Sequence, residues 1–310
     1  MSEPDLVLAV SVFARVQRDV VVVEGPDAAA YLQGQLSQDV AALAVGQSAS
    51  TFVLAPQGKV EGWGRVTRRA PDHFEVLVDA GAGPAWEARL RRFLLRTKAE
   101  IEVRPGVDVV AVRGLGSNAA VGAHCGRDAG WPGMDGADVV GADTDLDDVV
   151  ARLRAEGFVE ANPDQLDALR ISAGVPRWGA ELDPDTIPAA AGQWVIDSSV
   201  SFTKGCYTGQ ELVARVDSRG GNVPRLLHRL VVQGPAPAPG TPVMVEGAEV
   251  GAVTSSAYAF DGIETDLEGA QGSVALAWVA RAHIAGDAGE PAEVGGHPAR
   301  LLPPPTTSTN

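Results

Sequence analysis

One octet, Lys204-Gly205-Cys206-Tyr207-Thr208-Gly209-Gln210-Glu211, concentrates more potential chemistry than any other segment of the chain. Thr208 and Glu211 stand in T-x-x-E spacing directly ahead of Leu212-Val213-Ala214-Arg215. In that pattern a hydroxyl caps a helix and the glutamate reaches back to the cap. The spacing therefore predicts a helix capped by Thr208, with Cys206 two residues upstream of the cap. Unpaired N–H groups and the positive dipole end of a helix stabilise an anion, and Lys204 adds a cation nearby. Both favour thiolate over thiol, which is what a reactive cysteine needs. Gly205 and Gly209 let the backbone turn tightly and leave the sulfur reachable. The plainer alternative is that Cys206, like most lone cysteines, is a small packed hydrophobe. Cys125, in His124-Cys125-Gly126, has no comparable context and reads as structural or incidental.

Composition limits what else the chain does. Its 2 cysteines cannot staple 310 residues as a disulfide scaffold. There is no C-x-x-C and no H-E-x-x-H, and a structural zinc or self-ligated iron–sulfur cluster needs about four ligands, so no metal site is expected. A formal net charge of −15 and a pI near 4.7 disfavour a phosphate-neutralising surface and hence direct nucleic-acid binding. A small anionic ligand is not excluded, since one or two placed arginines suffice for it. The N-terminus, Met-Ser-Glu-Pro-Asp, carries acids where a signal peptide carries bases. No apolar run reaches the roughly 18 residues that span a bilayer. The expectation is a cytoplasmic protein without membrane contact.

The elements that must position the octet alternate between strand and helix. Val20–Glu24 has strand character and is followed by Asp27, a candidate N-cap for a helix carrying Tyr31, Leu32, Gln35 and Leu36. Thr51–Ala55 and Val60–Thr67 flank Pro56-Gln57-Gly58 as a hairpin. Phe74–Asp79 is a further strand, Trp86, Leu90, Phe93 and Leu94 mark a helix face, and Leu146–Glu156 is helical. A stretch from about 174 to 202, studded with Pro and Gly, reads as an irregular linker. After Pro224 the chain changes to short strands separated by Gly- and Pro-rich turns, the pattern of a small β-barrel or sandwich. The expected organisation is an α+β body over 1–225 of two interleaved lobes, a β-barrel over 226–302, and a disordered tail over 303–310.

The octet, the Leu212-Val213-Ala214-Arg215 that follows it and the Gly220-Gly221-Asn222 turn together resemble the signature of the YgfZ family, relatives of the glycine-cleavage T-protein. The resemblance extends to Tyr31-Leu32-Gln33-Gly34-Gln35-Leu36-Ser37-Gln38-Asp39-Val40, to Pro56-Gln57-Gly58-Lys59, and to Leu169-Arg170-Ile171-Ser172-Ala173-Gly174-Val175-Pro176. Gly179-Ala180-Glu181-Leu182 and Gly251-Ala252-Val253-Thr254-Ser255 continue it. It implies a multi-lobed folate-binding body around a central cavity that holds tetrahydrofolate or a derivative. It also implies a role in making or maintaining iron–sulfur enzymes, with iron–sulfur client or assembly proteins as partners and tRNA modification reached only through the client.

Carried onto this chain, the resemblance assigns Arg170 to gripping the folate and Asp138 to accepting hydrogen bonds from pterin N–H groups. Cys206 and Lys204 become the working pair, supported by Gly205, Tyr207, Thr208, Gly209, Gln210 and Glu211. From the residues alone, Arg170 reads first as an amphipathic surface arginine and only second as a partly buried anion clamp, and Asp138 is just as easily a turn residue. The aspartate on which aminomethyl transfer relies falls near Trp86, with Asp79 seven residues early, so a T-protein type of transferase activity is not expected. That transferase, and a non-catalytic folate-binding scaffold in which Cys206 is only packed, are the competing readings.

Overall fold

The computed structural model describes residues 11–122, 126–260, 272–283, 286 and 289–305. Cys125 lies outside the described residues. Among them, eight strands form the larger sheet: β1 (Val12–Glu24), β2 (Ser48–Leu54), β3 (Val60–Ala70), β4 (His73–Asp79), β5 (Glu100–Arg113), β6 (Gly126–Asp128), β7 (Gly136–Val140) and β8 (Val159–Glu160). Their order is β2-β3-β4-β1-β5-β7-β6, with β8 added in parallel to the start of β1. The valine run of β1 is apolar on both faces because both are covered. Val21 and Val23 join Phe74, Val76 and the helices α1 (Ala28–Gln35) and α2 (Gly83–Arg91) on one side. Val20 and Val22 join Leu77, Val109 and Val140 on the other.

Helices α3 (Ser117–Val121) and α4 (Leu146–Ala155) pack beside β5 and β7, and α5 (Pro163–Ser172) follows β8. Asn162 caps α5 in a reciprocal box with Gln165. Leu166, Leu169 and Ile171 of α5 sit in one cluster with Val12, Ala14 and Ala111 of the sheet and Leu227, Val274 and Leu276 of the C-terminal unit. This helix is thus the wedge that joins sheet and barrel. The barrel closes in the order β10-β11-β12-β9-β14-β13, from β9 (Arg225–Val232), β10 (Pro242–Val245), β11 (Ala248–Tyr258), β12 (Ser273–Ala280), β13 (Glu290–Val294) and β14 (His297–Leu302). An α+β body with a small C-terminal β-barrel is the fold class expected from the strand and helix signals.

Three local expectations are corrected. Asp27 occupies the cap position of α1 but makes no side-chain cap; its Oδ2 accepts from the Lys98 N–H at 2.7 Å. The 174–202 linker is not wholly irregular. It holds a 3-10 turn, Pro188–Ala191, and α6 (Gln193–Ser199), whose Trp194, Val195 and Ile196 are buried. Two turns of helix between Gly192 and Val200 are too short to leave a periodic signal. The tail expected to be disordered from Pro303 is described to Pro305. Pro304 and Pro305 lie against Gly192 and Gly174, and the Pro303 carbonyl accepts from Arg229 Nε at 3.3 Å.

His228 in β9 is fully buried, with Nδ1 3.2 Å from the Leu226 carbonyl and Nε2 unpartnered. Burial pushes its pKa below the ordinary value, against smaller opposing effects of Leu226 and Glu290. The unfolded chain binds a proton near pH 6.5 that the folded imidazole refuses, so this contribution to stability is intact above about 6.5 and declines below it. The expected slope is up to about 1.4 kcal/mol per pH unit. Urea midpoints between pH 7 and 5 should fall less steeply for His228→Leu than for the wild type; equal slopes would contradict the assignment.

Candidate functional site

The octet is held from two sides. Lys204 Nζ donates to the carbonyls of Gln33, Leu36 and Gln38 at 2.7, 2.7 and 2.8 Å. Those carbonyls close the C-terminal end of α1, where a cation is favoured by the helix dipole. Burial pushes the Lys204 ammonium down to about 8, with Asp39 opposing, and three carbonyl acceptors hold it in place. Thr208 N–H donates to the Gly34 carbonyl at 3.1 Å, and Ser201 N–H to Ser37 at 3.0 Å. On the other side, Gly209 and Gly58 meet backbone to backbone. A Cβ at Gly209 would stand 2.6 Å from the Ala55 carbonyl, and one at Gly58 would stand 2.4 Å from Leu212 Cβ. Both have φ above +80°, where a side chain is strained as well as crowded.

This packing overturns the capping box. The helix α7 (Gln210–Asp217) begins after Gly209, which is its cap residue in the left-handed region, and no side chain caps it. The Thr208 N–H, which a closed box would give to Glu211, is donated to the Gly34 carbonyl instead. Gln210 Oε1 instead accepts from the Tyr207 N–H at 3.2 Å. Lys204 likewise points its ammonium at α1, so its role is to anchor the loop. Cys206 is exposed with a free thiol. Its neighbour Tyr207 is buried in one cluster with Phe52, Leu182, Trp194 and Val213. The sulfur is thus presented at the surface by a loop fixed at Lys204, Tyr207 and Gly209.

Arg170 is buried near the end of α5, not on the surface. Its Nε donates to Asp167 at 2.6 Å, and its Nη1 to the Val175 carbonyl at 2.6 Å and to Glu181 at 3.2 Å, while Nη2 is unpartnered. Burial would lower its pKa, but Glu181 and Asp167 outweigh that and raise it. Asp138 is a strand residue of β7 beside Ala111, not a turn residue. Its Oδ1 lies 2.9 Å from Arg113 Nη2. The contact is an ion pair without an aligned hydrogen bond, because Oδ1 has no donor in line. Among the described residues no hydrogen bond or ion pair joins Arg170 to Asp138, or either to the octet.

Between them lies a region that sequence reasoning missed. Trp131 and Met134, in the loop between β6 and β7, pack against both the α5 cluster and the cluster containing Trp194 and Tyr207. Trp63 stands edge-on to Trp194 with ring centroids 6.3 Å apart and donates to Ser199 Oγ at 2.9 Å. Around this meeting point Arg170 Nη2, Ser172 Oγ, Arg113 Nε and Trp194 Nε1 are buried without partners. The signal available in the sequence was three tryptophans in otherwise aromatic-poor stretches. Where a transferase carboxylate was sought, Trp86 is 1% exposed and packs over Gly62 in the apolar core. Asp79 instead accepts from Arg18 and from the Trp178 N–H.

No family model matches the chain. Over 208 residues it is 30% identical to an uncharacterized protein of Haemophilus influenzae, covering 66% of this chain and 68% of that protein. Over 217 residues it is 30% identical to the tRNA-modifying protein YgfZ of Edwardsiella ictaluri, covering 64% of this chain and 65% of that protein. The chain thus aligns with about two thirds of the length of these relatives. In three dimensions it matches the crystal structure of glycine cleavage system aminomethyltransferase T from Bartonella henselae with a TM-score of 0.72 at 20% identity, over 96% of this chain and 86% of that one. At that identity the likeness establishes the fold. Sequence relatives and fold agree, and the chain belongs to the YgfZ family, related to the T-protein.

Proposed function

We propose that this protein is a cytoplasmic, tetrahydrofolate-binding accessory factor for the assembly or maintenance of iron–sulfur enzymes, with Cys206 as its working thiol. The observation that carries the reading is the presentation of Cys206: an exposed sulfur on a loop locked by a lysine, a tyrosine and two apposed glycines. A merely packed cysteine has no need of such a frame. Bound folate would supply a one-carbon carrier or a reducing tetrahydropterin ring.

The residues around Trp131 fit such a ligand in kind. Trp63 offers an aromatic face, Asp138 an acceptor for ring N–H groups, and Arg170 Nη2 a buried donor without a partner. A T-protein type of transferase is not favoured, because the expected carboxylate position belongs to the buried Trp86. The name of the Edwardsiella relative suggests tRNA modification. We assign that to a client protein, since the chain carries a net charge of −15 and Arg89, Arg113, Arg127 and Arg170 are buried.

Titration with tetrahydrofolate under reducing conditions tests the ligand, and its failure to bind would sink the folate assignment. Arg170→Lys keeps a cation for Glu181 but removes the Nη2 edge. It should weaken binding by about ten- to a hundred-fold, the worth of one charge-assisted hydrogen bond. Unchanged affinity would take Arg170 out of the site.

Cys206→Ser should retain folding and folate binding but fail to restore iron–sulfur enzyme activity in cells lacking their own family member, whereas Cys125→Ser should restore it. Full complementation by Cys206→Ser would make the thiol structural. Lys204→Met leaves three carbonyls without their donor and should cost about 3 kcal/mol in urea unfolding. It should also loosen the octet, seen as faster proteolysis between 201 and 209; unaltered stability and cleavage would refute the anchoring role.

A further inference from the structure

The loop between β6 and β7 is closed at its base and loose at its tip. Ala129 N–H donates to the Gly136 carbonyl at 2.9 Å, and Gly114 N–H to the Asp135 carbonyl at 2.9 Å. Among the described residues, the tip from Trp131 to Met134 turns at Pro132-Gly133 and makes no backbone hydrogen bond to the rest of the chain. Gly130 and Gly133 flank Trp131-Pro132 with φ of +63° and +64°, a conformation open to glycine and poorly tolerated by other residues. The tip is therefore held by two side chains, Trp131 and Met134, inserted where the two core clusters meet.

The Trp131 ring lies over the Arg113 guanidinium, 4.1 Å from Cζ to ring centroid. That guanidinium is ion-paired to Asp138, and Arg113 Nε is unpartnered. Arg65 closes the arrangement from β3. It donates to Ser50 Oγ at 2.9 Å and to Asp128 at 3.1 Å, and burial lowers its pKa against the pull of Asp128 and Asp138. A planar cation flanked by a carboxylate and covered by a bicyclic ring is a surface on which flat aromatic rings stack. The neighbouring carboxylate accepts from N–H groups on a ring edge.

We infer that Trp131 occupies, in the ligand-free protein, the slot of the planar aminopyrimidine ring of a reduced pterin, and that binding requires the β6–β7 tip to swing outward on Gly130 and Gly133. The inference rests on the folate reading proposed above and adds to it a self-occupying plug, with Arg113 as the stacking plane and Asp138 as the ring-edge acceptor. A plug of this kind lowers apparent affinity by the fraction of molecules in which the slot is open. Replacing the indole by a methyl group removes the competitor and leaves Arg113 and Asp138 untouched.

Association of tetrahydrofolate with the full chain should be faster in Trp131→Ala than in the wild type, with apparent affinity raised by roughly tenfold if the slot is open about one-tenth of the time. With 5-fluorotryptophan incorporated, the Trp131 resonance of the wild type, assigned by its loss in Trp131→Phe, should move toward that of an exposed indole at saturation. Binding to both proteins with equal rates, or weaker binding to Trp131→Ala, would overturn the plug and leave the folate reading standing. A fluorine resonance that stays in place while ligand binds would overturn it in the wild type, whatever the stability of the variants. Absence of binding to either protein would overturn the folate reading and the slot together.

Discussion

Glu181 is 1% exposed, and its carboxylate accepts from Arg170 Nη1, from the Arg177 backbone N–H and from Ser255 Oγ. Those donors belong to α5, to the linker and to β11 of the barrel. A buried carboxylate with one partner removed is left charged in a poor solvent, which typically costs about 3–5 kcal/mol. The geometry of the three parts is therefore set by one residue that cannot release any of them cheaply. Arg170 shares this duty, since its Nε and Nη1 are committed to Asp167, Val175 and Glu181. Only its Nη2 remains for a ligand. An alanine at this position would confound loss of a ligand contact with loss of the frame, whereas a lysine preserves the charge.

A second constraint acts at the surface. The turn around Gly58 and the turn at Gly209 approach so closely that neither position has room for a Cβ. The hairpin of β2 and β3 thereby becomes the floor of the cysteine loop. Its own strands line the cluster that buries Tyr207, because Phe52, Leu54 and Val60 all belong to it. Hairpin, octet and linker are one packed unit, although more than a hundred residues separate the hairpin from the other two in sequence.

The sequence disclosed whatever is written in periodicity and in short motifs. The valine run of β1, the hairpin about Gly58, α4 and the barrel strands other than β13 were legible, because each satisfies a local pattern that its tertiary setting does not oppose. The T-x-x-E box was a local pattern that tertiary packing did oppose. The N–H of Thr208 serves α1, and the backbone at Gly209 is bent to fit Gly58, so the box cannot close. Arg170 and Asp138 were ambiguous for a different reason. Arg170 is buried because the chain folds back after α5 and brings Val175 and Glu181 onto it, and Asp138 is placed by strand pairing that sets it against Arg113; neither leaves a mark in the local sequence. Trp131 and Trp194 escaped notice because they lie in segments without periodicity, Trp63 because a strand pattern does not say which partner its ring meets, and only the fold brings them together.

The distribution of positive charge follows from the same packing. Arg89 is spent on the Leu54 carbonyl, Gln35 and Glu61; Arg127 on Glu75 and Asp143; Arg113 on Asp138 and two strand carbonyls. Lys204, the cation nearest the thiol in sequence, is turned toward α1. Arg89, Arg113, Arg127 and Arg170 are buried along with Asp19, Glu75, Asp138 and Glu181, so the interior is balanced and the exterior keeps the chain's net charge of −15. A polyanion approaching Cys206 would meet no compensating basic patch built from these residues and would lose the counterion-release gain that drives nucleic-acid binding. A protein client, recognised by shape and by contact with an exposed sulfur, suffers no such penalty. The inward cations thus fix the interior of the body, while Lys204 alone among them fixes the loop that presents the thiol.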